Sequence, residues 1–316
     1  MNFVIKRAGL VAAGALFFLG FLGGCATSPQ TRTLLDNPPD IPAQVELTEV
    51  PFFPQQEYHC GPSSLASVIN YLGTPVEPDQ IAQMIYVPGL KGSLQIEVEA
   101  ATRQFDMLPV QLDGKLESLL RELAAGNPIF VLQNLGLDSI PVWHYEVVVG
   151  YDLTERVIIL RSGVDARVLR SFALFEKTWQ RADHWALVVV SVDTVPATAS
   201  ADAYLDAVIG MEQVGRIDTA NHAYSTALRR WPQNLLAHTG LGNSAYALGE
   251  FVAAESAYRS ALMIDPQKAE LWNNLSYVLA QLGQHESSMD AIGRALELDP
   301  DNRNFKDSYN ELANWQ

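Results

Sequence analysis

Cysteine is scarce. The 316 residues hold two, Cys25 and Cys60, too few for a disulfide framework. Basic residues are outnumbered, 21 Lys and Arg against 36 Asp and Glu, for a formal charge of −15. No basic stripe for a phosphate backbone exists, which excludes nucleic acid as a partner. The acidic residues are scattered rather than gathered into runs, and scattered acids predict a solvated surface. Histidine and cysteine are single and dispersed, without metal-ligand spacing, so no metal or cofactor is implied. The 18% charged and 48% hydrophobic content rule out wholesale disorder and supply ample core. The length suggests two folded parts.

The first 24 residues read as an export signal: Lys6 and Arg7, an apolar core from Ala8 to Leu22, then Gly23-Gly24. That core is shorter than the about 20 residues of a membrane span. Leu22-Gly23-Gly24-Cys25 resembles a lipobox. The resemblance implies lipidation of Cys25, an envelope location, and, with Ala26 next, the outer-membrane leaflet facing the periplasm. Several acyl chains, at about 0.8 kcal/mol per buried methylene, make a stable anchor. Residues 25 to 45, with Pro29, Pro38, Pro39 and Pro42, read as an extended tether. At about 3 Å per residue it would hold the folded part roughly 60 Å from the bilayer.

Phe52 to Gly73 carries the chemistry. Leu65, Val68, Ile69 and Leu72 fall at i, i+3, i+4 and i+7, one face of a helix that Gly73 stops and whose first turn tolerates Pro62. Cys60 sits at the start of that helix, where the dipole is expected to lower a thiol pKa from about 8.5 into the range of roughly 3.5 to 7.5. Gly61 removes a side chain that would crowd the sulfur. Gln55 supplies an amide donor within reach of a carbonyl under attack.

A Gln, a short polar spacer, then Cys60-Gly61-Pro62-Ser63-Ser64-Leu65-Ala66 and a helix ending in Asn70-Tyr71-Leu72-Gly73 resembles cysteine peptidase family 39. Its members include the papain-like leader peptidases fused to bacteriocin exporters. The resemblance implies Cys60 as nucleophile, Gln55 or Gln56 as oxyanion donor, and His144, opening His-Tyr-Glu-Val-Val-Val-Gly-Tyr-Asp, as general base. The family then places an Asp followed by Pro at the end of the next strand. Here Leu160-Arg161-Ser162-Gly163 stands instead, leaving Ser162 or Asp165 to orient the ring. His184 reads as structural, and His59 carries no assigned role.

Periodicity predicts helices at Asp79–Tyr86, Ser93–Phe105 and Leu116–Ala125. Strands are expected at 108–112, 128–133, 145–151, 157–160 and 186–191. Helices first and antiparallel strands later is an α+β pattern over 46–192. Residues 193–200 read as a linker. Beyond it Gly215, Gly249 and Gly283, and likewise Pro232, Pro266 and Pro300, recur every 34 residues. That period is the tetratricopeptide signature. It predicts an all-α solenoid over 201–316, three repeats closed by a helix at Asn304–Trp315. Its concave face would present His238, Trp272 and Asn273 to a peptide or protein partner. The expected function is an envelope-anchored cysteine peptidase whose repeats recruit substrate or partner. A degenerate peptidase that binds peptides without cutting them, and an acyl or amide transferase, are the alternatives.

Overall fold

The computed structural model describes residues 28–55 and 59–315. The segment before residue 28, with the expected signal and Cys25, and Gln56 lie outside the described residues. The chain opens with α1 (Pro29–Asp36) and β1 (Gln44–Glu46), then α2 (Cys60–Tyr71), α3 (Pro78–Ile85), the short hairpin β2 (Tyr86–Val87) and β3 (Gly92–Ser93), and α4 (Gln95–Gln104). Next come β4 (Met107–Gln111), α5 (Leu116–Ala124), β5 (Ile129–Asn134), β6 (Trp143–Asp152), β7 (Val157–Ser162), β8 (Asp165–Ser171), α6 (Phe172–Gln180) and β9 (Ala186–Ser191). The large sheet runs β4-β9-β5-β6-β7-β8, every pair antiparallel, with β1 continuing past β5 along the last residues of β6.

Alternation along the central strands divides two cores. Phe130, Tyr145, Val147 and Val149 face α2, α3 and α4, where Leu65, Val68 and Ile69 are fully buried. Each such side chain contributes about 1.5–3 kcal/mol on burial. Ile129, Val131, Val148 and Leu160 face α5 and α6 on the other side. That second core does not end with the sheet. Tyr204, Leu205, Val208 and Met211 of α7 (Ala201–Gln213) join it, packed beside β4.

The tether expected at 25–45 is folded from residue 28 onward. Glu176 on α6 is buried, and its carboxylate accepts hydrogen bonds from the Gln30 and Thr31 amides (2.9 and 2.7 Å) and the Thr31 hydroxyl (2.6 Å). A carboxylate at the first turn of α1 fixes a helix that proline content alone argued against. The segment 193–200 is pinned the same way. The fully buried Glu122 on α5 accepts from Asn127 (2.7 Å), Ala197 (3.2 Å) and the amide and hydroxyl of Thr198 (2.6 Å each).

The repeats continue as α8 (Ile217–Arg230), α9 (Leu235–Ala247), α10 (Phe251–Ile264), α11 (Ala269–Gln281), α12 (His285–Leu298) and the closing α13 (Arg303–Ala313). Gly215, Gly249 and Gly283 take φ of +78°, +78° and +72° at the ends of the first helices, the left-handed stop that glycine adopts without strain. Ala227, Ala261 and Ala295 are fully buried at the helix crossings. His238 and Trp272 stand one period apart, and each ring nitrogen bonds the carbonyl of Pro232 (3.0 Å) or Pro266 (2.9 Å) in the preceding turn. These two rings lock turns, which leaves them less free to meet a partner than expected. Between α9, α10 and α11 a cavity of about 230 Å³ is lined by Asn243, Tyr246, Tyr258, Asn274 and Tyr277.

Candidate active site

Cys60 is the first residue of α2, half-buried, with His59 preceding it as the cap. It lines a cavity of about 690 Å³ with Gln55, Ser93, Leu132, Trp143, His144, Tyr145 and Gly163. The helix needs glycine at position 61 for the far wall. A Cβ there would lie 2.9 Å from Ser93 Oγ and 3.4 Å from the Tyr145 ring. Gly61 thus admits the β2–β3 hairpin against the helix start, rather than clearing a path to the sulfur.

The thiol does not titrate as a helix N-terminus alone predicts. Burial pushes the Cys60 pKa above the ordinary 9.0, and the nearby Glu146 charge pushes the same way. Hydrogen bonds from the Tyr145, Gly61 and Cys60 backbone only partly oppose this. The expected thiolate is corrected to a neutral thiol: losing water costs the sulfur more than the helix end returns.

His144 is the second residue of β6, its side chain 20% exposed. Burial, and then the Arg170 charge, hold its pKa below 6.5, so the ring is neutral at pH 7. Its Nε2 lies 3.2 Å from Ser162 Oγ. The Ser162 hydroxyl donates to Glu146 Oε1, Gln133 Nε2 donates to Glu146 Oε2, and the Thr178 hydroxyl donates to Gln133 Oε1. Glu146 is fully buried, and burial raises its pKa against the opposing pull of Ser162, Arg170 and Gln133.

Strand geometry explains the assembly. His144 and Glu146 share one face of β6, Gln133 sits opposite His144 on β5, and Thr178 comes from α6 beneath. A bulge between Leu160 and Ser162 re-aims Ser162 at the end of β7, and Gly163 takes φ +61° in the two-residue turn to β8. Asp165 opens β8 exposed to solvent, and among the described residues no hydrogen bond joins it to His144. Of the two residues left to orient the ring, Ser162 is the one beside it. Sequence reading missed Glu146, Gln133 and Thr178. The signal present was Glu146 two positions after His144, and an acid inside an otherwise apolar strand.

Gln55 lines the cavity, but its amide is occupied. Nε2 donates to Ser64 Oγ (3.1 Å) and the Tyr145 carbonyl (3.3 Å), while Oε1 accepts from the Gly163 amide (3.1 Å). Gln55 N–H also donates to the Gly163 carbonyl at 2.9 Å. It clamps the segment before Cys60 to the turn after Ser162. His184, at φ +54°, packs edge-on against Trp179 at 5.0 Å, and His59 packs against Tyr86 at 5.6 Å.

Cys60 from a helix start and His144 from a strand thus line one cavity. Residues 47–186 match the Peptidase_C39 like family. The sheet domain is Peptidase_C39-like. Residues 212–269 and 245–311 match tetratricopeptide repeat families, so the C39-like domain is followed by a protein-interaction array. Among solved structures, a putative C39-like peptidase from Bacillus anthracis is 22% identical, covering 47% of this chain and 98% of that one, with a TM-score of 0.39. The second tetratricopeptide domain of human RPAP3, in complex with an HSP70 peptide, is 16% identical over 36% of this chain and 94% of that one, TM-score 0.35. A mutant O-GlcNAc transferase of Thermobaculum terrenum is 26% identical over 39% of this chain and 24% of that one, TM-score 0.36. No curated protein matches the chain.

Proposed function

We propose that the protein is a cysteine peptidase, hydrolysing a peptide or amide bond in the cavity between α2 and β6. The observation that carries this is that Cys60, the first residue of α2, and His144, from β6, line one cavity of about 690 Å³. Cys60 Sγ attacks the carbonyl carbon as its proton passes to His144. The resulting oxyanion faces the Cys60 and Gly61 amides at the start of α2, since Pro62 has no N–H and the Ser63 amide already donates to the His59 carbonyl (3.1 Å). Gln55, with its donors engaged on Ser64 and Tyr145, is tied to the Gly163 turn. The tetrahedral intermediate collapses, the C–N bond breaks, and His144 returns the proton to the leaving amine. Water, deprotonated by His144, then cleaves the thioester and restores the thiol.

The cavity mouth suits apolar side chains flanking the scissile bond. Leu90, Leu94, Val142 and Trp143 line it, Trp143 being 53% exposed. Asn134 Oδ1 accepts from the Gly136 and Val142 amides (3.0 and 2.9 Å), fixing the backbone that carries Val142. The repeat array recruits the substrate or a protein partner. Cys25 is the lipid anchor, holding the protein in the bacterial envelope at the outer membrane. The Ser28 hydroxyl, three positions after Cys25, donates to the Ala173 carbonyl (3.1 Å), so a lipid on Cys25 would hold the folded body close to the bilayer.

A peptide library incubated with the full chain and read by mass spectrometry tests the enzyme. Cleavage products should appear with the wild type and vanish with Cys60→Ala. Absence of products from the wild type would leave the binding-module reading. Labelled palmitate should enter the wild type and not Cys25→Ser, and equal labelling of both would remove the anchor.

A further inference from the structure

We infer that Glu146, acting through the Ser162 hydroxyl, decides which nitrogen of His144 carries the proton. The inference rests on the Cys60–His144 reading for its consequence, but not for its geometry. A serine has one proton to give. The Ser162 hydroxyl donates it to Glu146 Oε1, the direction that an ionised Glu146 requires. The second carboxylate oxygen is taken by Gln133 Nε2, and Gln133 is held in that orientation because its oxygen accepts from Thr178. Glu146, Gln133, Thr178 and Ser162 are between 0% and 8% exposed, so bulk water cannot substitute for a member. Ser162 Oγ therefore has only lone pairs left for His144 Nε2, 3.2 Å away. Nε2 must be the N–H, and Nδ1 carries the bare lone pair. That is the form of the ring able to take a proton from a thiol. The opposite tautomer presents N–H on Nδ1 and cannot take one there. Ser162 and Glu146 are thus positioning residues, reaching the chemistry only through the imidazole.

The chain has a direction, and one atom change should reverse it. In Glu146→Gln, Gln133 Nε2 still requires an oxygen, so the new amide turns its oxygen to Gln133 and its NH₂ to Ser162. The Ser162 proton must then swing to His144 Nε2, moving the ring proton to Nδ1.

The test is the tautomer itself, read by long-range proton–nitrogen correlation spectra of the full chain with ¹⁵N-histidine, the His144 signals assigned by their loss in His144→Asn. The wild type at neutral pH should favour the Nε2–H form by about tenfold. Glu146→Gln should invert the preference, Ser162→Ala should abolish it, and Ser162→Thr, which keeps the hydroxyl, should restore it. Should Glu146→Gln fail to fold, the Ser162→Ala and Ser162→Thr pair reads the same connection. A wild-type ring protonated on Nδ1, or a preference indifferent to these substitutions, would overturn the inference. The readout needs no substrate: the expected tautomer without any peptide cleaved removes the peptidase reading and keeps this one. Cleavage with the tautomer unmoved does the reverse.

Discussion

The two halves of the site are built in opposite ways. The nucleophile half is local: Cys60, Gly61 and the apolar face of α2 lie within one helix, and the helix start alone exposes the sulfur. The base half is assembled at a distance. His144, Glu146, Ser162, Gln133 and Thr178 come from three strands and a helix, and are joined only through hydrogen bonds in a buried layer. The difference teaches where each half is vulnerable. Removing a group from the first alters chemistry and little else, while removing one from the second strands polar atoms inside a core.

The largest expected effect is on turnover. Cys60→Ala should slow peptide cleavage at least about 10⁴-fold, and His144→Ala by about 10² to 10⁴, measured with a library-derived peptide. Cys60→Ala should keep the wild-type urea midpoint, while His144→Ala, which takes away a partner of the buried Ser162 hydroxyl, should lower the unfolding free energy by about 1 kcal/mol. Glu146→Ala goes further. It leaves the Ser162 and Gln133 donors unpaired, and should cost about 2–4 kcal/mol of unfolding free energy in urea titrations. On the nucleophile side the comparable stress is steric. Gly61→Ala should cost about 1–3 kcal/mol as the Ser93 hairpin gives way. The pH profile of Cys60 alkylation, separated from Cys25 by peptide mass spectrometry, should have its midpoint above 9.0, because burial disfavours the thiolate. A midpoint well below that value would erase the contrast by making the helix dipole dominant. Smallest of all, Asp165→Ala should leave stability within about 0.5 kcal/mol and cleavage within about twofold, as befits an exposed residue without a bond to the site.

The same contrast governs what the sequence discloses. The repeats are legible because a fixed period writes the same packing three times, and the nucleophile helix because its stripe, its glycine stop and its cysteine are contiguous. The acids are not legible. Scattered Asp and Glu read as solvated surface, yet Glu122, Glu146 and Glu176 are buried and each gathers hydrogen-bond donors from distant segments. Glu176 turns a proline-rich stretch that reads as tether into α1, and Glu122 fastens 193–200 so that α7 completes the core beside β4. Nothing within the pinned segments announces their partners, which lie 75 or more positions away. β8 and α6 were missed for a related reason. The mostly exposed strand Asp165–Ser171 shows no continuous apolar run, and the nine residues of Phe172–Gln180 are too short to show a clear helical period.

The covalent step decides the account most directly. Full-length protein mixed with a cleaved peptide, quenched in acid within the first turnover and digested, should yield an acyl thioester on the Cys60 peptide, absent from His144→Ala at the same time point. Product formed without any thioester on Cys60, or with the acyl group on another residue, would contradict it.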